Sequence, residues 1–144
     1  MDRSPAFTCA LGDAGAGRSL YRLGPLADGF TIKHLGDFET NGRWSLVRKG
    51  LDVSCFGMNV VEIEQGYSIP EHNELERDQE EVFIVLEGDA VMVIDGEDHP
   101  APAGTFTRVA PPLMRTVRND NEKPVRLLIV SAPTTSGYQD MGWA

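Results

Sequence analysis

The chain has 144 residues, of which 41% are hydrophobic and 24% charged. That is the size and make-up of one globular domain with a core that needs no staples, and it excludes disordered and collagen-like chains. Thirteen Lys and Arg against 22 Asp and Glu leave a formal charge of −9, a surface that repels phosphate backbones and anionic lipid, so neither nucleic acid nor membrane is an expected partner.

Residues 1–28 are rich in Gly and Ala, and Gly12 to Gly17 resemble a phosphate loop only superficially: no Gly-Lys-Ser/Thr follows. They read as an N-terminal arm, followed by a barrel over 29–133 and a tail over 134–144 whose Tyr138, Met141 and Trp143 suit docking onto the barrel or a neighbouring subunit. The arm lacks the basic and apolar regions of a secretion signal, and no window is apolar enough to span a bilayer, so a cytoplasmic location is expected. The two cysteines, Cys9 and Cys55, have no zinc spacing; Cys55 reads as a small buried core residue, with a disulfide between the two as the alternative.

From residue 30 onward the chain is a series of short β-rich runs. They are Phe30–Leu35, Trp44–Val47, Val53–Ile63, Val82–Leu86, Ala90–Ile94, Thr105–Val109, Met114–Val117 and Val125–Ser131. Turn signals separate them at Asn41-Gly42, Glu87-Gly88-Asp89, Asp95-Gly96, Pro111-Pro112 and Asn119-Asp120-Asn121. This spacing predicts an all-β sandwich or closed barrel, with Val82–Ile94 as its clearest hairpin.

The stretch most suited to chemistry is 66–88. In an extended chain His72 and Glu74 project to one side, and Glu81 opens the next strand, so two neighbouring strands offer an imidazole and two carboxylates to one point. That is a ligand set for a divalent metal such as Fe, Mn, Ni or Zn. The bland reading is a solvated acidic loop, since residues 71–81 hold six acidic residues relieved by Arg77. Phe83 and Val85 share strand parity with Glu81 and should line the interior, with Met92 and Met58 on neighbouring strands. His34 reads as a strand-surface histidine and His99 as an exposed turn residue before Pro100.

These residues resemble the cupin superfamily, whose first motif has the form G-x5-H-x-H-x3–4-E-x6-G. Here Gly66 precedes His72 by the same interval, Glu81 precedes Gly88 by the same interval, and Val85-Leu86-Glu87-Gly88 and Ile94-Asp95-Gly96-Glu97 are similar to the family's hairpin. The second motif is matched in part by Gly104 and by Arg115 to Asn119. The resemblance covers roughly residues 50–131 and implies a double-stranded β-helix, or jelly-roll, barrel with a central pocket. It also exposes departures. Glu74 stands where the family has a second His, and Arg115 stands at the His of the second motif. A guanidinium has no lone pair to offer a metal. Arg115 would then either pair with Glu81 and Glu74 in place of a metal, or hold an anionic ligand in a bidentate fork.

The expected function is a non-catalytic cupin-like protein that binds a small anionic metabolite through Arg115, Phe83, Val85 and Met92. The alternative is a metal-dependent dioxygenase, isomerase or lyase using His72, Glu74 and Glu81. A homodimer pairing through Phe30–Leu35 and Trp44–Val47 is also expected, because it would cover exposed strand edges.

Overall fold

The computed structural model describes residues 29–143. Among them, a 3-10 turn at Leu35–Asp37 leads into β1 (Thr40–Asn41), β2 (Trp44–Ser45) and a short helix α1 (Val47–Leu51). The barrel follows as β3 (Gly57–Ile63), β4 (Gln79–Glu87), β5 (Asp89–Ile94), β6 (Glu97–Pro102), β7 (Phe106–Val109), β8 (Arg115–Arg118) and β9 (Val125–Pro133). The strands form a six-stranded sheet in the order β1-β2-β3-β9-β4-β7 and a three-stranded sheet in the order β6-β5-β8, with every pairing antiparallel. The free edge of β8 is extended by the segment 68–72, bridged at Ser68–Arg118 and His72–Arg115. The architecture is all-β, as the turn spacing predicts, and is the jelly roll that the resemblance implies.

Alternation sets the core. Glu81, Phe83 and Val85 of β4 are buried, as are Val125, Leu127 and Ile129 of β9, and they meet Val61 and Ile63 of β3, Met92 of β5 and Val117 of β8. Met58 lies on the other face of β3, sharing parity with Val60 and Glu62, so it does not join the interior as expected.

Several sequence expectations are corrected. Phe30–Leu35 forms no strand; it runs without regular structure into the 3-10 turn that Leu35 begins, with Phe30 and Ile32 exposed. His34 caps that turn, its Nδ1 accepting from the Gly36 amide at 3.1 Å. The Val53–Ile63 run pairs only from Gly57, because Asp52 takes a left-handed conformation that ends α1 and redirects the chain. Cys55 consequently sits in an exposed bend and not in the core. Cys9 lies outside the described residues, as does the Gly12–Gly17 segment. His99 is exposed as expected, but it is part of β6, opposite Met92, and not of a turn. Tyr138, Met141 and Trp143 are exposed and do not dock onto the barrel of their own chain.

Two turns show why their residues are needed. Asp95 and Gly96 both have positive φ, 48° and 83°, the backbone of the two-residue hairpin that joins β5 to β6. Gly88 has φ 81° where β4 passes into β5, and a Cβ there would lie 2.6 Å from the Pro124 carbonyl oxygen. Gly88→Ala therefore combines backbone strain with a clash against main chain, and should cost about 2–4 kcal/mol. Urea unfolding measures it; a change below about 0.5 kcal/mol would show that the turn has slack.

Candidate functional site

Four elements converge at one mouth of the barrel. Glu81 is on the inner face of β4, Arg115 opens β8, and His72 is held beside Arg115 by the exchange of two main-chain hydrogen bonds, 3.1 and 2.8 Å. Two residues on, the Glu74 amide donates to the Pro111 carbonyl at 2.9 Å, which holds the Glu74 side chain against the loop 110–113. The i, i+2 spacing of His72 and Glu74 thus works as the sequence suggests, although the segment is a bridged ribbon and not a full strand.

The side chains form a compact centre. His72 Nε2 lies 3.4 Å from Glu81 Oε2 and 3.7 Å from Glu74 Oε1. His72 Nδ1–H donates to the Pro70 carbonyl at 2.9 Å, so in the neutral ring the Nε2 lone pair faces the two carboxylates. Ligand atoms of all three residues lie within 4.8 Å of one another.

Each carboxylate also has a guanidinium beside it. Arg115 Nε is 3.1 Å from Glu81 Oε2, and Arg77 Nη1 is 3.2 Å from Glu74 Oε1. The two arginines differ in kind. Arg115 is 0% exposed, and its other nitrogens donate to the carbonyls of Leu113 at 2.7 Å and of Pro111 and Ala110 at 3.3 Å. It is a buried counter-charge with no free edge for a bidentate fork to a ligand. Arg77 sits on the rim with its side chain 72% exposed.

The Arg115–Glu81 contact is close but out of line. Neither Arg115 Nε nor Glu81 Oε2 makes a hydrogen bond, although both are buried. Burial is the largest influence on the Glu81 carboxyl and raises its pKa above the usual carboxylate value; His72 and Arg115 pull the other way, and the Glu74 carboxylate adds to the rise.

A cavity of about 300 Å³ opens beside this centre, lined by His72, Glu74 and Arg77 together with Trp44, Ile69, Pro70 and Asn73. Phe83, Val85 and Met92 are not among the lining residues; they pack in the hydrophobic core. Trp44 and Arg77 were not singled out from sequence. Trp44 arrives because β2 pairs with β3 in a register that places it opposite Val61. The signal for Arg77 was its spacing three residues after Glu74, which suits an ion pair across one turn.

These features define an antiparallel jelly-roll barrel with two buried carboxylates and a half-buried histidine at its open end. Residues 59–131 match the cupin domain family, and the chain belongs to it. No curated protein matches the chain. Among solved structures, a cupin protein from Bacteroides fragilis superposes with a TM-score of 0.68 at 18% identity, over 80% of this chain and 93% of that one. A structure from Silicibacter pomeroyi, described as a sugar phosphate isomerase from a cupin superfamily, gives 0.62 at 24% identity over 72% and 76%. A Cupin 2 conserved barrel domain protein from Salinispora arenicola gives 0.52 at 23% identity over 58% and 67%. At these identities the likeness is one of fold. No helix among the described residues is long and apolar enough to cross a membrane.

Proposed function

We propose that this protein is a small-molecule-binding cupin that takes a small anionic metabolite in the cavity beside His72, next to a divalent cation held by His72, Glu74 and Glu81. The observation that carries this reading is a buried carboxylate oxygen without a hydrogen bond: Glu81 Oε2 has Arg115 Nε 3.1 Å away but out of line, and it faces His72 Nε2 at 3.4 Å. Two acceptors facing each other are stable only with a cation or proton between them. One imidazole and two carboxylates form a donor set suited to Fe, Mn, Ni or Zn. Arg115 limits how tightly such an ion binds, because it already offsets one of the two negative charges.

When bound, the ion would act as a Lewis acid towards a carbonyl or phosphoryl oxygen. The chain's own residues do the rest. Pro70 fixes the His72 ring, the 110–113 loop and Arg115 keep Glu81 in place, and Trp44 and Ile69 give the cavity an apolar wall. With neutral His72, the two glutamates and two arginines sum to zero charge, so a divalent ion leaves an excess of positive charge that favours an anionic metabolite. A metal-dependent isomerase is the second reading, favoured by the likeness to the Silicibacter pomeroyi structure described as a sugar phosphate isomerase.

Elemental analysis of protein purified without chelators, followed by Mn²⁺ titration monitored by water-proton relaxation, tests the cation. Binding near one ion per chain is expected, with at least tenfold weakening in His72→Ala, since one of three ligands is lost. A wild type that neither carries nor takes up an ion removes the cation from the reading, and so does a His72→Ala variant that binds as tightly as wild type.

A further inference from the structure

We infer that Arg77 is a two-position guanidinium: it caps Glu74 while the centre is free of a divalent ion, and turns into the cavity to hold an oxyanion when an ion takes Glu74. This rests on the reading of His72, Glu74 and Glu81 as a cation site, and it adds what selects the metabolite and how the two binding events are coupled.

The backbone that carries Arg77 is fixed. Arg77 lies in the turn between Glu74 and β4, where the Gln79 amide donates to the Glu74 carbonyl at 3.3 Å. Its neighbour Asp78 is held by Thr134, whose amide donates to the Asp78 carbonyl at 2.9 Å and whose hydroxyl donates to the Asp78 carboxylate. The side chain is the opposite. It is mostly exposed and touches Glu74 through Nη1 alone, at 3.2 and 3.5 Å to the two oxygens, while Nε and Nη2 have no partner among the described residues. An end-on, exposed contact of this kind contributes little to stability and is easily exchanged.

Glu74 is the fixed side of the pair. Its carboxylate is only 7% exposed and needs a positive neighbour. A divalent ion shared with His72 and Glu81 supplies one, and Arg77 is then released without leaving a buried charge unpaired. Arg77 already lines the cavity. Its planar fork of donors matches a carboxylate or a tetrahedral oxyanion. Arg115 cannot play this part, since it is sealed and its nitrogens are engaged on three carbonyls. The metabolite class is therefore a small oxyanion whose charged group sits on Arg77 and whose remainder lies along Trp44 and Ile69. Because the same guanidinium serves Glu74 or the anion, cation and anion must raise each other's affinity by the same factor.

Mn²⁺ titration of the full chain, alone and with sulfate or acetate, tests the switch in wild type, Arg77→Ala and Arg77→Lys. In wild type the effective anion should raise Mn²⁺ affinity roughly tenfold. Response to sulfate alone assigns a tetrahedral group such as a phosphate ester, and response to acetate alone assigns a carboxylate. Arg77→Ala should bind Mn²⁺ more tightly than wild type without anion and lose most of the coupling; Arg77→Lys should keep part of it. Equal coupling in wild type and Arg77→Ala would place the anion on the metal alone and overturn the inference, leaving the cation site standing. Mn²⁺ binding without coupling in wild type overturns it in the same way. Absence of Mn²⁺ binding overturns the cation site first, and this inference with it.

Discussion

Arg115→Ala is expected to cost about 3–5 kcal/mol, because it strips the counter-ion from a carboxylate that stays buried. Thermal unfolding should then fall by roughly 10–20 °C for a domain of this size. The loss has two sources. Glu81 keeps its place on the inner face of β4 without the guanidinium 3.1 Å away. The carbonyls of Ala110, Pro111 and Leu113 also lose the donors that fold the 110–113 loop over the site. Lysine should rescue little, since one ammonium cannot reach all three carbonyls and Glu81 together. A double-mutant cycle separates the two sources. Glu81→Leu in the Arg115→Ala background should recover the part due to the unpaired charge and leave the loop part lost. A single-variant loss near 1 kcal/mol would mean that water reaches Glu81 and screens it.

The second large effect is expected at Asn119, which sits in the second motif and is fully buried. Its Nδ2 donates to the carbonyls of Ile63 and Lys123, each at 2.9 Å, and its Oδ1 accepts from the Asn121 amide at 2.9 Å. Its own main chain exchanges hydrogen bonds with Gly66 and Tyr67, 2.8 and 3.0 Å. The side chain thus ties the end of β3 to the turn before β9, and the main chain of the same residue anchors the start of the 66–72 ribbon. Asn119→Ala leaves two carbonyls and an amide to be resatisfied in a buried place, at about 2–4 kcal/mol. Asn119→Asp keeps the shape but points one oxygen at two carbonyls, so it should be at least as damaging. Urea unfolding of both variants is the check, and an aspartate variant as stable as wild type would sink the account. Both variants should also weaken Mn²⁺ binding, because the ribbon they loosen carries His72.

Much of this barrel is legible from residues alone, and the failures have physical causes. β4, β5 and β9 announce themselves because their inner positions are apolar and the intervening turns contain Gly88, Asp95 and Gly96. β6 does not: its sequence Glu97 to Pro102 is polar, mostly exposed and holds two prolines. It pairs with β5 along one edge and, among the described residues, with no strand on the other, a setting in which proline is tolerated. Phe30–Leu35 errs the other way, since an apolar run needs a neighbouring strand and this one has none among the described residues.

The same logic applies to the centre. His72 and Glu81 could be singled out because two glycine intervals fix their register, and Arg115 because it stands at the His of the second motif. Sequence left open which partner Arg115 would choose, and its burial against three carbonyls decides that it serves Glu81. Arg77 was hidden inside an acidic run that reads as a solvated loop, and Trp44 comes from a strand whose pairing no local pattern specifies.

The order of strands in the large sheet has a consequence for how the molecule is made. β3 and β4 do not pair with each other; each pairs with β9, which lies between them and is the last strand of the described chain. During synthesis both therefore wait, with one edge open, until residues 125–133 have emerged. Contacts so far apart in sequence are slow to form, which puts barrel closure on the millisecond-to-second scale typical of β topologies. Until then two apolar strand edges are available to other chains, and the risk of misassembly is greatest just before the centre at the mouth comes together.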